Sequence, residues 1–206
     1  MAPGPDGGTP LRLGIFGGTF DPPHVGHVAV ARDVADALGL DQVLWIPAGI
    51  PPHKLDAAVT PPGPRLAMVE AAAAADPRFT VSDVEVVREG PSYTVDTLRH
   101  LRGVYPDAQL FLILGSDQLR TLKDGWREPE EILRLAVPAL MDREGEPARE
   151  AAPDLPGMER AVHVPVTRVD VSATAIRAGV AAGEDVAAWL PPGVMDVIRR
   201  EGLYGG

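Results

Sequence analysis

The chain has 206 residues, 45% of them apolar and 23% charged, with a formal net charge of −10. A chain of that length builds one domain with a core large enough to need no covalent staple, and its composition is too apolar for a disordered protein. The absence of cysteine excludes a disulfide framework, a thiolate metal site and a cysteine nucleophile, and it fits a reducing, cytoplasmic setting.

In chain order, residues 1–10 are rich in Gly and Pro and lack a basic start before an apolar stretch. They read as a disordered leader ahead of a single domain spanning 11–206. Six short apolar runs read as buried strands: Leu11–Phe16, Gln42–Ile46, Thr80–Val86, Leu110–Leu114, Leu135–Met141 and Ala161–Val164. Helical patterns lie between most of them. Val28, Ala31, Ala35 and Leu38 share a face, and Gly39 follows as a stop signal. Leu66, Val69, Ala72 and Ala73 form a second stripe, with Pro64 near its start. Further helices are predicted over Thr94–Leu101, Glu130–Leu135, Thr174–Ala182 and Val194–Glu201. Strands alternating with helices imply βαβ units, hence an α/β fold with a mostly parallel sheet covered on both faces. The stretch 47–64 holds prolines 47, 51, 52, 61, 62 and 64 and should form a long irregular loop, a common home for function. Arg143–Met158 reads as a variable surface loop, and 172–206 as a helical C-terminal part. No run of about 18 uncharged apolar residues exists, so no membrane span is expected. The acidic balance argues against nucleic-acid binding but leaves room for a phosphate held by local backbone donors. Oligomeric state stays open, a homo-oligomer included.

The most informative segment is Gly14-Ile-Phe-Gly-Gly-Thr-Phe-Asp-Pro-Pro-His-Val-Gly-His27. A buried strand ends at Phe16, and Gly17 and Gly18 then allow close approach of a ligand to the backbone. A helix begins near Gly26, so its first N–H groups face the same crevice and make an anion site. The spacing is neither the dinucleotide fingerprint G-x-G-x-x-G nor a Walker loop. His24 and His27, three residues apart, can both donate to phosphate oxygens from one face. Without a third ligand nearby they make a weak zinc site.

This segment resembles the opening motif of the H/T-x-G-H nucleotidyltransferases, and Gly17-Gly-Thr-Phe-Asp-Pro-Pro-His-Val-Gly-His27 resembles the bacterial nicotinate mononucleotide adenylyltransferases in particular. Later pieces match that family in order: Ile46-Pro-Ala-Gly-Ile-Pro-Pro-His-Lys54, Gly90-Pro-Ser-Tyr-Thr-Val-Asp-Thr-Leu98, Leu114-Gly-Ser-Asp117, Trp126, and Val171-Ser-Ala-Thr-Ala-Ile-Arg177. The resemblance implies a Rossmann-like, doubly wound sheet. It implies adenylyl transfer from ATP to nicotinate mononucleotide with Mg²⁺ bound through the phosphates, giving deamido-NAD and pyrophosphate. It also implies roles. His24, His27, Lys54 and Arg177 would act on the phosphates. Gly17, Gly18, Thr19, Phe20, Ser172 and Thr174 would hold ATP. Ser92, Tyr93, Thr94, Gly115, Asp117 and Trp126 would hold the mononucleotide. Plainer roles exist for several: Ser92, Thr94, Asp117 and Ser172 as helix caps, Trp126 as a core residue, Lys54 as a surface lysine. The chain departs from the family pattern at Ala173, where a second Ser is usual, and at Arg127, where many members carry an aromatic residue.

Overall fold

The computed structural model describes residues 9–52, 59–142 and 148–205. Six strands form one sheet: β1 (Arg12–Gly18), β2 (Gln42–Pro47), β3 (Phe79–Val81), β4 (Gln109–Leu114), β5 (Val137–Asp142) and β6 (Val162–Pro165). Every pairing is parallel, and the order is β3-β2-β1-β4-β5-β6. The chain direction across the sheet therefore reverses between β1 and β4. In open α/β sheets that switch point opens a crevice at the carboxyl ends of the strands. Here Gly17 and Gly18 close β1, and Gly115 follows β4.

Among the described residues there are seven α-helices: α1 (Val25–Leu38), α2 (Pro62–Ala73), α3 (Thr94–Val104), α4 (Ser116–Gly125), α5 (Pro129–Leu135), α6 (Ala173–Ala181) and α7 (Val194–Arg200). The strand period of two sorts side chains between two cores. Leu13 and Ile15, Leu44 and Ile46, and Leu110, Leu112 and Leu114 face α3, α4 and α5. Phe16, Val43, Trp45, Phe111 and Ile113 face α1 on the other side. A third cluster joins α2 to α6 and α7 through Met68, Ala72, Ile176, Val194 and Ile198. Gly39 ends α1 in the left-handed conformation at φ 55°, the stop the sequence signals.

Two elements differ from expectation. The run Thr80–Val86 is strand only to Val81, because the N–H groups of Val86 and Val87 turn back to the carbonyl of Asp83. Helix α4 has no predicted range in the sequence, which offers only Asp117 as a cap there. Its anchors are only Leu119 and Leu122, too few for a helical stripe. Of the predicted leader, residues 1–8 lie outside the described residues, as do 143–147 of the predicted surface loop. The rest of that loop includes Ala148, which is fully buried against the β5 side of the core.

Candidate active site

Two cavities meet at the carboxyl edge of β1 and β4. The larger, about 840 Å³, lies between the start of α1, the start of α4 and the segment entering α6. The smaller, about 200 Å³, lies between the end of β1, the 48–52 segment, the start of α3 and the end of α4. Gly17, Gly18 and Gln118 line both. The two cavities therefore adjoin across the sheet edge at the glycines. An alanine at 17 would place its Cβ in open space, so the glycine keeps the passage clear and is not required for packing.

His24 and His27 line the larger cavity. His24 is the N-cap of α1, in extended conformation, and its N–H donates to His27 Nδ1 at 3.1 Å. That bond uses Nδ1 as acceptor, so in the neutral ring Nε2 carries the proton and is a donor. The two rings sit 3.8 Å apart, centroid to centroid. Phe20 packs edge-on against His27 at 5.1 Å. The imidazole is thus oriented by the bond from the His24 N–H and by ring contacts with His24, Phe20 and Phe16. Ser172 lines the same cavity and caps α6, its Oγ accepting from the Ala175 N–H at 3.1 Å. Gly115 and Asp117 stand opposite. The cap of α4 is Gly115, and Asp117 is 91% exposed, paired with Arg120 at 3.0 Å. Arg168 also lines this cavity and is bonded to Asp170. It escaped the sequence reading, although a basic residue four positions before the Ser172 motif is a visible signal.

The smaller cavity is lined by Thr19, Ser92, Tyr93, Thr94 and Trp126. Neither Ser92 nor Thr94 caps α3; the cap position is Tyr93. The buried Ser92 hydroxyl instead accepts from the Gly49 N–H at 2.9 Å, and Ser92 also bonds to Glu85. Glu85 is buried and accepts from the Thr97 hydroxyl at 2.6 Å. Burial pushes its carboxyl above the ordinary glutamate range, against the opposing pull of Thr97, Arg88 and Ser92. Trp126 Nε1 donates to Thr121 Oγ1 at 3.2 Å, and its ring packs on the core, so the core role and a ligand face coexist. Arg127, where an aromatic residue is usual, lays its guanidinium 5.2 Å from the Tyr93 ring centroid.

Lys54 lies outside the described residues. Thr174 and Arg177 line neither cavity. Arg177 Nη1 donates to the Asp21 carbonyl at 2.8 Å, three residues ahead of His24, and Nη2 lies 3.4 Å from Thr174 Oγ1. A further arginine, invisible to sequence reasoning because helical arginines are normally solvated, anchors the site from below. Arg65 is 1% exposed. It donates to the carbonyls of Thr60 (2.7 Å), Thr19 (2.9 Å) and Gly49 (2.9 Å). One guanidinium thus ties the glycine turn after β1 to the loop after β2. Burial holds its proton less firmly than in water, with nearby Asp21 opposing.

Among the described residues, no three His, Cys, Asp or Glu side chains gather as a metal cage. No helix among them is long and apolar enough to cross a membrane.

Comparison with known proteins supplies the family. A model of cytidylyltransferase-like proteins matches residues 15–179. A protein of Thermus thermophilus, named "Probable nicotinate-nucleotide adenylyltransferase", is 42% identical over 194 residues, covering 94% of this chain and 100% of that one. The chain belongs to the nicotinate-nucleotide adenylyltransferase family. A member from Neisseria meningitidis serogroup B is 41% identical over 202 residues, covering 94% of this chain and 98% of its own. Among solved structures, the Plasmodium falciparum nicotinic acid mononucleotide adenylyltransferase complexed with NaAD superposes with a TM-score of 0.76 at 17% identity. It covers 94% of this chain and 97% of that one. At that identity the likeness carries the fold, which is the Rossmann-like sheet expected of the family.

Proposed function

We propose that the protein transfers the adenylyl group of ATP to nicotinate mononucleotide in NAD biosynthesis, in the cytoplasm, releasing pyrophosphate. The observation that carries the reading is the pair of cavities joined over Gly17 and Gly18, one edged by His24 and His27, the other by Ser92–Thr94 and Trp126. ATP would occupy the larger, the pyridine half of the acceptor the smaller.

The phosphate of the mononucleotide already carries a nucleophilic oxyanion. It attacks the α-phosphorus of ATP in line; a new P–O bond forms, the α–β bridge bond breaks, and pyrophosphate leaves with the electron pair. No general base is required, so catalysis is positioning plus charge stabilisation. His27, with Nε2–H as donor, and His24 would hold phosphate oxygens beside the first N–H groups of α1. Ser172 would add a hydroxyl contact and Lys54 positive charge for the departing pyrophosphate, while Arg177, bonded to the Asp21 carbonyl and near Thr174 outside both cavities, would act by holding the turn before His24. Asp117, exposed at the crevice, suits the ribose hydroxyls of the acceptor. Main-chain donors at Ser92–Thr94 suit the pyridine carboxylate, and the Trp126 face suits its ring.

A magnesium ion would be carried on the ATP phosphates, with Asp117 and Asp170, the carboxylates lining the larger cavity, placed to take its water shell, since such ions keep several waters and need one or two carboxylates at most. When bound it supplies neutralising charge to the triphosphate.

The test is turnover with each candidate acceptor. Pyrophosphate release with nicotinate mononucleotide, exceeding that with nicotinamide mononucleotide in kcat/KM, is expected. Equal or reversed preference would overturn the acceptor assignment. Nucleotide binding without release would mark a non-catalytic sensor.

A further inference from the structure

Asp21 lies in the turn between the glycines and His24 and is buried. Three segments distant in sequence converge on it. The Tyr204 hydroxyl donates to Oδ1 at 2.6 Å, the Thr60 N–H donates to Oδ2 at 3.1 Å, and Arg177 Nη1 donates to its carbonyl at 2.8 Å. Neither Asp21 nor Tyr204 lines either of the two site cavities, so both act through the turn. Both sit beside unusual backbone. Phe20 has φ 49° and Tyr204 φ 63°, the left-handed region that bulky residues avoid. Strain of that kind persists only where surrounding contacts over-determine it, and it clusters at functional turns.

We propose that Tyr204 is a positioning residue for adenylyl transfer: through Asp21 it holds the Phe20–His24 turn in the conformation that places His24 and His27 at the phosphate end of the crevice. The proposal rests on the function given above. Asp21 is three residues ahead of His24, and His24 starts α1. Fixing the carboxylate from two sides and the carbonyl from a third fixes where the helix begins. It thereby fixes the bond from the His24 N–H to His27 Nδ1. Burial, then the bond to Asp21, hold the Tyr204 hydroxyl far above the ordinary phenol value, so it remains a proton donor throughout the working pH range.

Tyr204→Phe removes the hydroxyl alone. The turn is expected to relax, lowering kcat between about 10- and 100-fold, as a misplacement near 1 Å at the reacting centre does. KM for the mononucleotide, whose pocket is walled mainly by Ser92–Thr94 and Trp126 and borders the turn only at Thr19, should change far less than kcat. Asp21→Asn weakens the same contact, and the double variant should fall no further than the worse single one, because both act through one bond. A second readout needs no turnover: in the ligand-free protein, the ¹⁵N resonance of His27 Nδ1 should move in Tyr204→Phe, reporting a loosened bond from the His24 N–H. Wild-type kcat with a lowered melting temperature would reduce Tyr204 to a stability clasp and overturn the proposal. So would His27 resonances identical to wild type. Failure of the function reading shows separately, as absent turnover in the wild type, and the resonance test still decides the role of Tyr204.

Discussion

Replacing Gly49 with alanine tests the architecture of the acceptor pocket. An added Cβ would lie 2.1 Å from the Glu85 carbonyl oxygen, where real Cβ atoms stay beyond 3.0 Å. The backbone must therefore move by about 0.9 Å, the difference of those two distances. Gly49 cannot move alone. Its N–H is held by Ser92 Oγ and its carbonyl by Arg65, each at 2.9 Å. A displacement of that size stretches both beyond hydrogen-bond range. Overpacking costs about 1–3 kcal/mol, and two buried bonds left unmade add about 1–3 kcal/mol more. The expected total of about 2–6 kcal/mol lowers Tm by about 4–24 °C in a protein of this size. The Ser92 wall shifts with it, so kcat/KM for nicotinate mononucleotide should fall about 100-fold. Differential scanning fluorimetry and initial rates measure the two effects. Gly63→Ala is the control: it lies in α2, its Cβ would meet nothing within 4 Å, and helix propensity favours it by up to about 1 kcal/mol. A Gly49→Ala protein with the Tm and kcat/KM of the wild type would refute the reasoning.

Three further outcomes are expected. His27→Ala should lose about 10²–10⁴ in kcat, the range for a positioned donor at a developing charge; full activity in a stopped-time pyrophosphate assay would contradict its role. Gly17→Ala should keep the wild-type melting temperature, since its Cβ meets nothing within 4 Å, yet lose activity because the methyl group projects where the substrates cross; equal turnover would show that they pass elsewhere. Glu85→Gln tests the buried carboxyl. Its raised folded pKa means that the folded state holds the proton more tightly than the unfolded one. The stability Glu85 contributes is full below the unfolded value and is lost as pH rises through the folded value. Urea titrations from pH 4 to 8 should therefore show Glu85→Gln gaining stability relative to wild type as pH rises. A difference that stays constant across that range would contradict the assignment.

The sequence carries the βαβ order and the phosphate side of the site because both are written locally. The alternating runs fix which face each strand presents, and the glycines, histidines and Ser172 cap fall within short contiguous motifs. What it does not carry depends on distance along the chain or on weak patterning. Helix α4 has two buried leucines on a polar background. The run after Val81 looks like strand because valines alternate with polar residues, yet the Asp83 carbonyl captures two N–H groups and turns the chain. Arg65 and Glu85 are buried charges, which hydropathy cannot distinguish from solvated ones; only folding reveals the three carbonyls around Arg65 and the hydroxyls around Glu85. Tyr204 meets Asp21 across 183 residues, and no local signal marks that pairing. The motif around Arg177 points it at the phosphates, whereas its geometry shows it bonded to the Asp21 main chain.

The central claim is that the joined cavities bind ATP and nicotinate mononucleotide for direct adenylyl transfer. Mass spectrometry of products formed by the purified protein with ATP, Mg²⁺ and nicotinate mononucleotide addresses it directly. The account predicts nicotinate adenine dinucleotide with one pyrophosphate per dinucleotide formed. Recovery of unchanged mononucleotide, with ATP either intact or simply hydrolysed, would contradict it.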